Sequence, residues 1–145
     1  MIRRSLALVL GSVLLMASSC ANVNYKSDAT GLLGTWDVVS IAGQAVVESA
    51  KPTMTFALSD QFGGNTGVNR YNGTFSLGSG TLSFGPLVTT RMAGPQDAMD
   101  QEGRFLAALG SVRKFDLGTD TLTLQAENGD VAVKAVRAKV EEGDM

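Results

Sequence analysis

Histidine is absent from the 145-residue chain, and cysteine occurs once, as Cys20. Without histidine, neither a Ser-His-Asp triad nor a Cys-His pair can form, which excludes two common kinds of nucleophilic catalysis. Zinc in its usual coordination needs several His or Cys ligands and is excluded as well. We therefore expect no metal, no cofactor and no catalytic residue, and an enzyme is the class that the sequence favours least.

Positive charge is also scarce. The 12 Lys and Arg residues are outnumbered by 14 Asp and Glu, and Arg3 and Arg4 lie in an N-terminal segment that we expect to be removed. That removal changes the formal net charge from −2 to −4. No basic stripe remains to neutralise phosphates, so nucleic acid is not an expected partner. Most acidic residues lie at predicted turns, without the ligand density of a calcium loop.

The N-terminus has the parts of a secretory signal. Arg3 and Arg4 precede an apolar run over 6–17, which is short for a membrane span and ends in small residues before Cys20. We predict a lipoprotein-type signal peptide over 1–19 and a lipidated N-terminus and tether over 20–31, with Cys20 carrying the lipid. The absence of Asp after Cys20 favours the outer membrane, facing the periplasm. The alternative is ordinary cleavage after Ala21, which would release a soluble protein.

Short segments with the period of a β-strand recur along the rest of the chain, and turn residues separate them. They cover 36–41, 53–58, 62–68, 69–77, 81–84, 87–92, 112–117, 121–125 and 131–136, with a further short strand at 44–47. The alternation in the second segment places Met54, Phe56 and Leu58 inward. Gly63, Gly64 and Gly67 predict a bulge or a close approach of backbone.

One segment has helical spacing instead. Pro95 suits the first helical position, Gly110 is typical of a helix end, and apolar residues recur between them. We predict one helix over about 95–109. The fold class is therefore α+β: a β-rich antiparallel meander, able to curl into a partly open barrel, with one helix packed against it. Residues 32–137 form this domain, and 138–145 form a frayed acidic tail.

Two motifs resemble those of the META domain family, the HslJ-like bacterial envelope lipoproteins. The strand motif is Gly67-Val68-Asn69-Arg70-Tyr71-Asn72-Gly73-Thr74-Phe75, and the turn motif is Thr90-Arg91-Met92-Ala93-Gly94-Pro95; a helix with Glu102 and Phe105 follows. Many members carry one cysteine before the Asn-Arg pair and another before the proline. This chain has Val68 and Gly94 there. If the two family cysteines form a disulfide, they are expected to be lost together, as they are here. Their loss removes a cross-link that contributes roughly 2–4 kcal/mol to stability.

Glu102 is the most informative charged residue, because it lies within the apolar stripe of the predicted helix. A lone buried carboxylate is costly, so we expect a partner. The candidates are Arg91 and the Asn69-Arg70 pair, the polar residues of the two motifs. We predict that these four residues form a structural network that ties the helix to the sheet. A ligand-binding polar cluster is the alternative.

The resemblance implies a non-catalytic cell-envelope protein with a role in envelope integrity or in stress and antibiotic tolerance. Its expected contacts are the membrane, through the lipid anchor, and an envelope protein partner that the sequence does not identify. Two alternatives stay open. One is a protein-binding or inhibitor module, directed at lysozyme or a protease. The other is a carrier of a small hydrophobic ligand, which an interior filled by Trp36, Phe56, Tyr71 and Phe75 would exclude.

Overall fold

The computed structural model describes residues 25–140, which form two helices and ten strands. The predicted signal peptide, Cys20 and the last five residues lie outside this range. The elements are α1 (Tyr25–Leu32), β1 (Gly34–Ile41), β2 (Gln44–Ala45), β3 (Thr53–Ala57), β4 (Gln61–Asn65), β5 (Arg70–Leu77), β6 (Leu82–Phe84), β7 (Val88–Thr89), α2 (Gln96–Ser111), β8 (Val112–Leu117), β9 (Thr121–Ala126) and β10 (Val131–Arg137).

All strand pairs are antiparallel, and the main sheet has the order β6-β5-β4-β3-β1-β10-β9-β8. β1 to β6 and β8 to β10 are two meanders, and α2 connects them. The last strand pairs with the first, with Trp36 opposite Arg137. β2 pairs with the end of β1, and β7 pairs with β5 beside β6.

The outer strands of the sheet, β6 and β8, nearly meet. A single β-bridge, between Thr81 and Lys114, joins them. The sheet is therefore a nearly closed barrel with an unsealed seam, and one main helix packs against it. This confirms the predicted fold class.

Aromatic side chains fill the interior of the barrel. The ring of Phe56 lies 4.9 Å from Phe62 and 5.2 Å from Phe75, and Phe62 stacks on Phe84 at 4.2 Å. Toward α2, the Tyr71 ring meets Phe105 edge to face at 5.7 Å. Trp36, Phe56, Tyr71 and Phe75 are all buried. Side chains thus occupy the space that a hydrophobic cargo would need.

A β-bulge in β1 explains its burial pattern. Trp36 and Val38 face inward, and the register against β10 then shifts between Val38 and Ser40. Two residues oppose one at a bulge, so the alternation restarts one position later. Ile41 is buried as a result, whereas Val39 is 42% exposed.

Several boundaries differ from the sequence-based expectation. Leu58 was predicted inward but is 76% exposed, because β3 ends at Ala57 and the turn that follows has positive φ at Ser59 and Asp60. The predicted strand over 87–92 is reduced to β7. The helix runs past Gly110 to Ser111, whose hydroxyl donates to the Ala108 carbonyl at 2.7 Å.

The glycines of β4 and of the turn after it permit close backbone approach. A Cβ on Gly64 would lie 2.1 Å from the Thr53 carbonyl oxygen and 3.0 Å from the Tyr71 hydroxyl. The Tyr71 side chain passes over Gly64 to donate to that carbonyl at 2.7 Å. A Cβ on Gly67 would lie 2.4 Å from the Ala50 oxygen. Only glycine fits at either position.

The two helices lie at opposite ends of the barrel. α1 leads into the first residue of β1, whereas α2 covers the end where β1 stops and the β2–β3 and β4–β5 connections meet. Residues 25–31 were predicted as part of a tether and are instead largely helical, since Leu32 is fully buried and anchors α1. Neither helix in the described part of the chain is long and apolar enough to cross a membrane.

Candidate functional site

Asn69, in the turn between β4 and β5, is the central residue of a buried polar cluster and is 2% exposed. Its Nδ2 donates to both carboxylate oxygens of Glu102 on α2, at 3.0 and 2.9 Å. The same amide group holds Met92 twice: Oδ1 accepts the Met92 N–H at 2.6 Å and Nδ2 donates to the Met92 carbonyl at 3.2 Å. The Thr90 hydroxyl donates to Oδ1 at 2.9 Å. Asn69 thus joins the turn, the segment before α2 and α2 itself.

Thr66 completes the cluster and is fully buried. Its hydroxyl donates to Glu102 Oε2. The Thr66 hydroxyl oxygen also accepts the N–H groups of Asn69 at 2.8 Å and Val68 at 3.2 Å, which shapes the turn. We call Thr66, Asn69 and Glu102 the hub. Because hydrogen bonds to a charged group contribute about 1.5–3 kcal/mol each, the hub is a strong internal tie.

The two predicted arginines lie outside the hub. Tyr71 faces inward in β5, so its neighbour Arg70 faces outward, and only the Arg70 backbone exchanges hydrogen bonds with Thr90. Arg91 is exposed. Among the side chains described over residues 29–140, the only ion pair joins Lys51 to Glu48 on the surface. Of the four residues predicted to form one network, the structure therefore brings together Asn69 and Glu102, and the side chains of Arg70 and Arg91 lie outside the cluster.

Gln101 is a further polar anchor that the sequence analysis missed. Its side chain is fully buried, with Oε1 accepting the Val47 N–H at 2.7 Å and Nε2 donating to the Ala50 carbonyl at 2.6 Å. The bonds hold the β2–β3 connection against α2. The position of Gln101 in the sequence indicated that it is buried, since it lies three residues after Ala98 and four before Phe105, on the buried stripe of the helix. The sequence signal for Thr66 was weaker: this residue lies three positions before Asn69.

Val68 and Gly94, the positions of the missing cysteines, are neighbours. A Cβ built on Gly94 would lie 3.7 Å from Val68 Cβ and 3.0 Å from Val68 Cγ1. The valine methyl groups therefore occupy the place that a second side chain would take.

A second cluster fixes α1 at the other end of the barrel. The Arg137 guanidinium lies 4.2 Å above the Trp36 ring and donates to the carbonyls of Gly31 at 2.7 Å and Leu33 at 3.2 Å. Trp36 Nε1 donates to the Leu32 carbonyl at 2.9 Å. These donors satisfy carbonyls at the end of α1, where a cation is favoured.

Tyr71 is a buried titratable group of the described region. Burial raises the pKa of the Tyr71 hydroxyl well above its usual value, so this group stays protonated as a donor to Thr53. Across residues 25–140, no three or more Cys, Asp or Glu side chains gather where they could hold a metal. The chemistry of the hub is hydrogen bonding between neutral donors and one carboxylate.

Comparison with known proteins identifies a family. The model of the family described as META domain matches residues 30–139, which contain both meanders, α2 and the hub. This confirms the predicted resemblance. Comparison with curated proteins gave no match.

Solved structures with a similar fold include an NMR structure of a protein from Burkholderia xenovorans. It is 25% identical to this chain, with a TM-score of 0.66, and the match covers 97% of this chain and 99% of the other. A second NMR structure is 20% identical over 72% and 89% of the two chains, with a TM-score of 0.58. A crystal structure of a DUF4847 family protein from Bacteroides vulgatus is 14% identical over 79% and 99%, with a TM-score of 0.59. The last two show the fold alone.

Proposed function

This chain belongs to the META domain family, and on that premise we propose that it is a non-catalytic lipoprotein of the bacterial cell envelope. Its role would be envelope integrity or tolerance of heat and antibiotic stress. In this proposal Cys20 carries the lipid, and the barrel faces the periplasm from the outer membrane. The protein would act by presenting its surface.

The position of α1 is the observation that carries this proposal. α1 begins at Tyr25, five residues after Cys20, and the cluster around Arg137 and Trp36 holds its other end to the barrel. Five extended residues span at most about 18 Å. A lipid on Cys20 would therefore hold the α1 end of the barrel near the membrane, with the α2 end facing away.

The use of the polar residues supports a non-catalytic role. The polar groups of the hub form hydrogen bonds within the hub and to the backbone around Met92, so they stabilise the fold. The barrel interior is filled with rings, which leaves the outer surface as the place for function.

Mass spectrometry of the protein isolated from the membranes of its host tests the anchor. We expect a mature chain that starts at Cys20 and carries a diacylglycerol group and an N-acyl chain. The Cys20→Ser variant should appear in the soluble fraction. An unacylated terminus, or cleavage after Ala21, would refute the anchored part of the proposal.

A deletion strain tests the role in tolerance. Survival after heat and antibiotic challenge should fall in the deletion strain and return with the wild-type gene, but not with Cys20→Ser expressed at the same level. Unchanged survival of the deletion strain would count against the stress role, whatever the state of Cys20.

A protein-binding module is a second candidate, and one surface feature favours it. Val88 and Met92 are 68% and 64% exposed, and Arg91 between them is exposed too. Methionine and arginine are enriched at protein interfaces, and an apolar surface segment is typical of them. The segment begins in β7 and continues toward α2, and the hub fixes its backbone at Met92.

Lysozyme and protease activity, measured with and without the protein, test the inhibitor form of this candidate. Inhibition that is lost in Val88→Ser/Met92→Ser would support it. The matched control is Val39→Ser/Val136→Ser, which removes two other exposed valines. No inhibition at micromolar protein, or equal inhibition by all three proteins, would reject an inhibitory role for this segment.

A further inference from the structure

A cavity of about 400 Å³ lies between α2 and the β9–β10 turn, at the α2 end of the barrel. The helix contributes Arg104, Ala107, Ala108 and Ser111, whose spacing places them on one face. The floor consists mainly of small apolar residues from the turn after β1 and from β9 and β10: Ala42, Ala126, Val131 and Ala132. Its volume falls within the range of small-ligand sites.

Arg104 is the unusual member of this lining. The residue is half-buried and its Nε is fully buried, yet within the described part of the chain Nε has no hydrogen-bond partner. The guanidinium also forms no ion pair there, although Asp130 lines the same cavity. A buried, unpartnered donor is costly, and an anion in the cavity would offset that cost once the half-buried side chain turned Nε toward it.

The surroundings of Arg104 select the kind of anion. Arginine binds carboxylates and phosphates through two parallel hydrogen bonds. The Asp130 carboxylate, which accepts from the Asn128 amide at 2.8 Å, lines the same cavity. The carboxylate would repel a phosphate dianion, and a single arginine matches a single negative charge. Carboxylate is therefore the better fit.

The floor and Asp130 define the rest of the ligand. Methyl-sized groups fit over the alanines, whereas the volume leaves little room for several large side chains. Asp130 has acceptor capacity beyond its bond to Asn128, and it offers a counter-charge for an ammonium group.

We propose that this cavity binds a short peptide of small apolar residues by its free C-terminal carboxylate, with Arg104 as the carboxylate ligand and Asp130 facing the ammonium end. The side chains lie on the alanine floor. This binding activity goes beyond the proposed envelope role and does not depend on the lipid anchor.

Titration of the purified 15N-labelled protein with alanyl-alanine tests the proposal. We expect saturable NMR shifts at the Arg104 Nε–H and at the backbone amides of Ala107, Ala108 and Ala132. A ligand of this size should bind with a dissociation constant on the order of 1 mM. Alanyl-alanine amide, which lacks the carboxylate, should bind about tenfold more weakly or worse.

Variants of Arg104 and Asp130 test the two charged ends of the ligand separately. Arg104→Gln should weaken alanyl-alanine binding about tenfold or more, and Arg104→Lys should restore only part of it, because lysine lacks the planar fork. Arg91→Gln removes the same charge from an exposed site and should leave binding unchanged. Asp130→Asn should weaken binding of alanyl-alanine but not of N-acetyl-alanyl-alanine, which has no ammonium group.

Three results would overturn the proposal. They are equal binding of the acid and the amide, full binding by Arg104→Gln with an otherwise native spectrum, and no saturable shift up to about 20 mM peptide, well above the expected constant. If Arg104→Gln fails to fold, the comparison of acid with amide on the wild-type protein still decides the question. Loss of the lipid anchor would alter none of these results.

Discussion

Replacing both Val68 and Gly94 by cysteine should create a disulfide between the β4–β5 turn and the segment before α2. The Cβ positions are 3.7 Å apart, within the roughly 3.5–4.5 Å that disulfides span. Gly94 does not have positive φ, so a side chain can be added there without backbone strain. The change also removes the valine methyl groups that would otherwise crowd the new Cβ.

The size of the effect follows from the loop that the bond closes. About 27 residues lie in that loop, for which the chain-entropy relation gives about 3.5 kcal/mol of added stability. For a domain of this size, each kcal/mol raises the melting temperature by roughly 3–5 °C, so an increase of about 10–18 °C is expected.

Urea and thermal unfolding measure this gain, with Cys20 replaced by serine so that the two new thiols are the only ones. The oxidised and reduced forms of Val68→Cys/Gly94→Cys are compared, and the matched control is Val68→Ser/Gly94→Ser, which cannot form the bond. Gly94→Cys alone should lose about 1 kcal/mol, since its Cβ lies 3.0 Å from Val68 Cγ1.

Two results would refute this reasoning. One is two free thiols after oxidation, which would mean that the positions are not neighbours in solution. The other is a bond that forms without stabilising the protein relative to its reduced form, which would mean that the bond strains the fold as much as it constrains the unfolded chain.

Three further predictions concern residues that stabilise the barrel and its contact with α2. Gln101→Leu leaves two backbone groups of the β2–β3 connection unpaired and should cost about 2–4 kcal/mol in urea unfolding, whereas Gln96→Leu on the exposed start of α2 should change stability little. Gly64→Ala should cost at least about 2 kcal/mol by the same assay, because its Cβ would overlap the Thr53 carbonyl; normal stability would refute the close approach. Because the folded pKa of Tyr71 is raised, the contribution of Tyr71 to stability should be constant up to about pH 10 and decrease above it, where the unfolded chain releases a proton that the folded chain keeps. In Tyr71→Phe that part of the decrease should disappear, and an unchanged decrease would contradict it.

The sequence predicted the strands because alternation and turn residues are local signals. β9 and β10, for example, follow from alternating residues on either side of Asn128-Gly129. It predicted the end of α2 less well. Gly110 is typical of a helix end, but the helix continues one residue further, and the Val112 N–H bonds to the Leu109 carbonyl as β8 begins. The bulge at Val39 was also invisible, because it depends on the register of β10, which is distant in sequence.

The site was predictable in part. The apolar stripe of α2 correctly indicated that Glu102 needs a partner, and the structure gives it Asn69 and Thr66. Arg70 and Arg91 were candidate partners beside Asn69. The alternation of β5 rules out Arg70, since Tyr71 is needed inside the barrel. Thr66 could not be chosen from sequence, because its hydroxyl is aimed by the turn that it also shapes.

A double-mutant cycle between Asn69 and Glu102 tests the central structural claim most directly. Asn69→Ala, Glu102→Ala and the double variant are compared by urea unfolding, with Arg91→Ala and Glu102→Ala as a control pair. If the hub ties α2 to the barrel, the Asn69 and Glu102 changes should show a coupling energy of about 1–3 kcal/mol, and the control pair should be additive. Additivity of Asn69 and Glu102 within about 0.5 kcal/mol would contradict the claim.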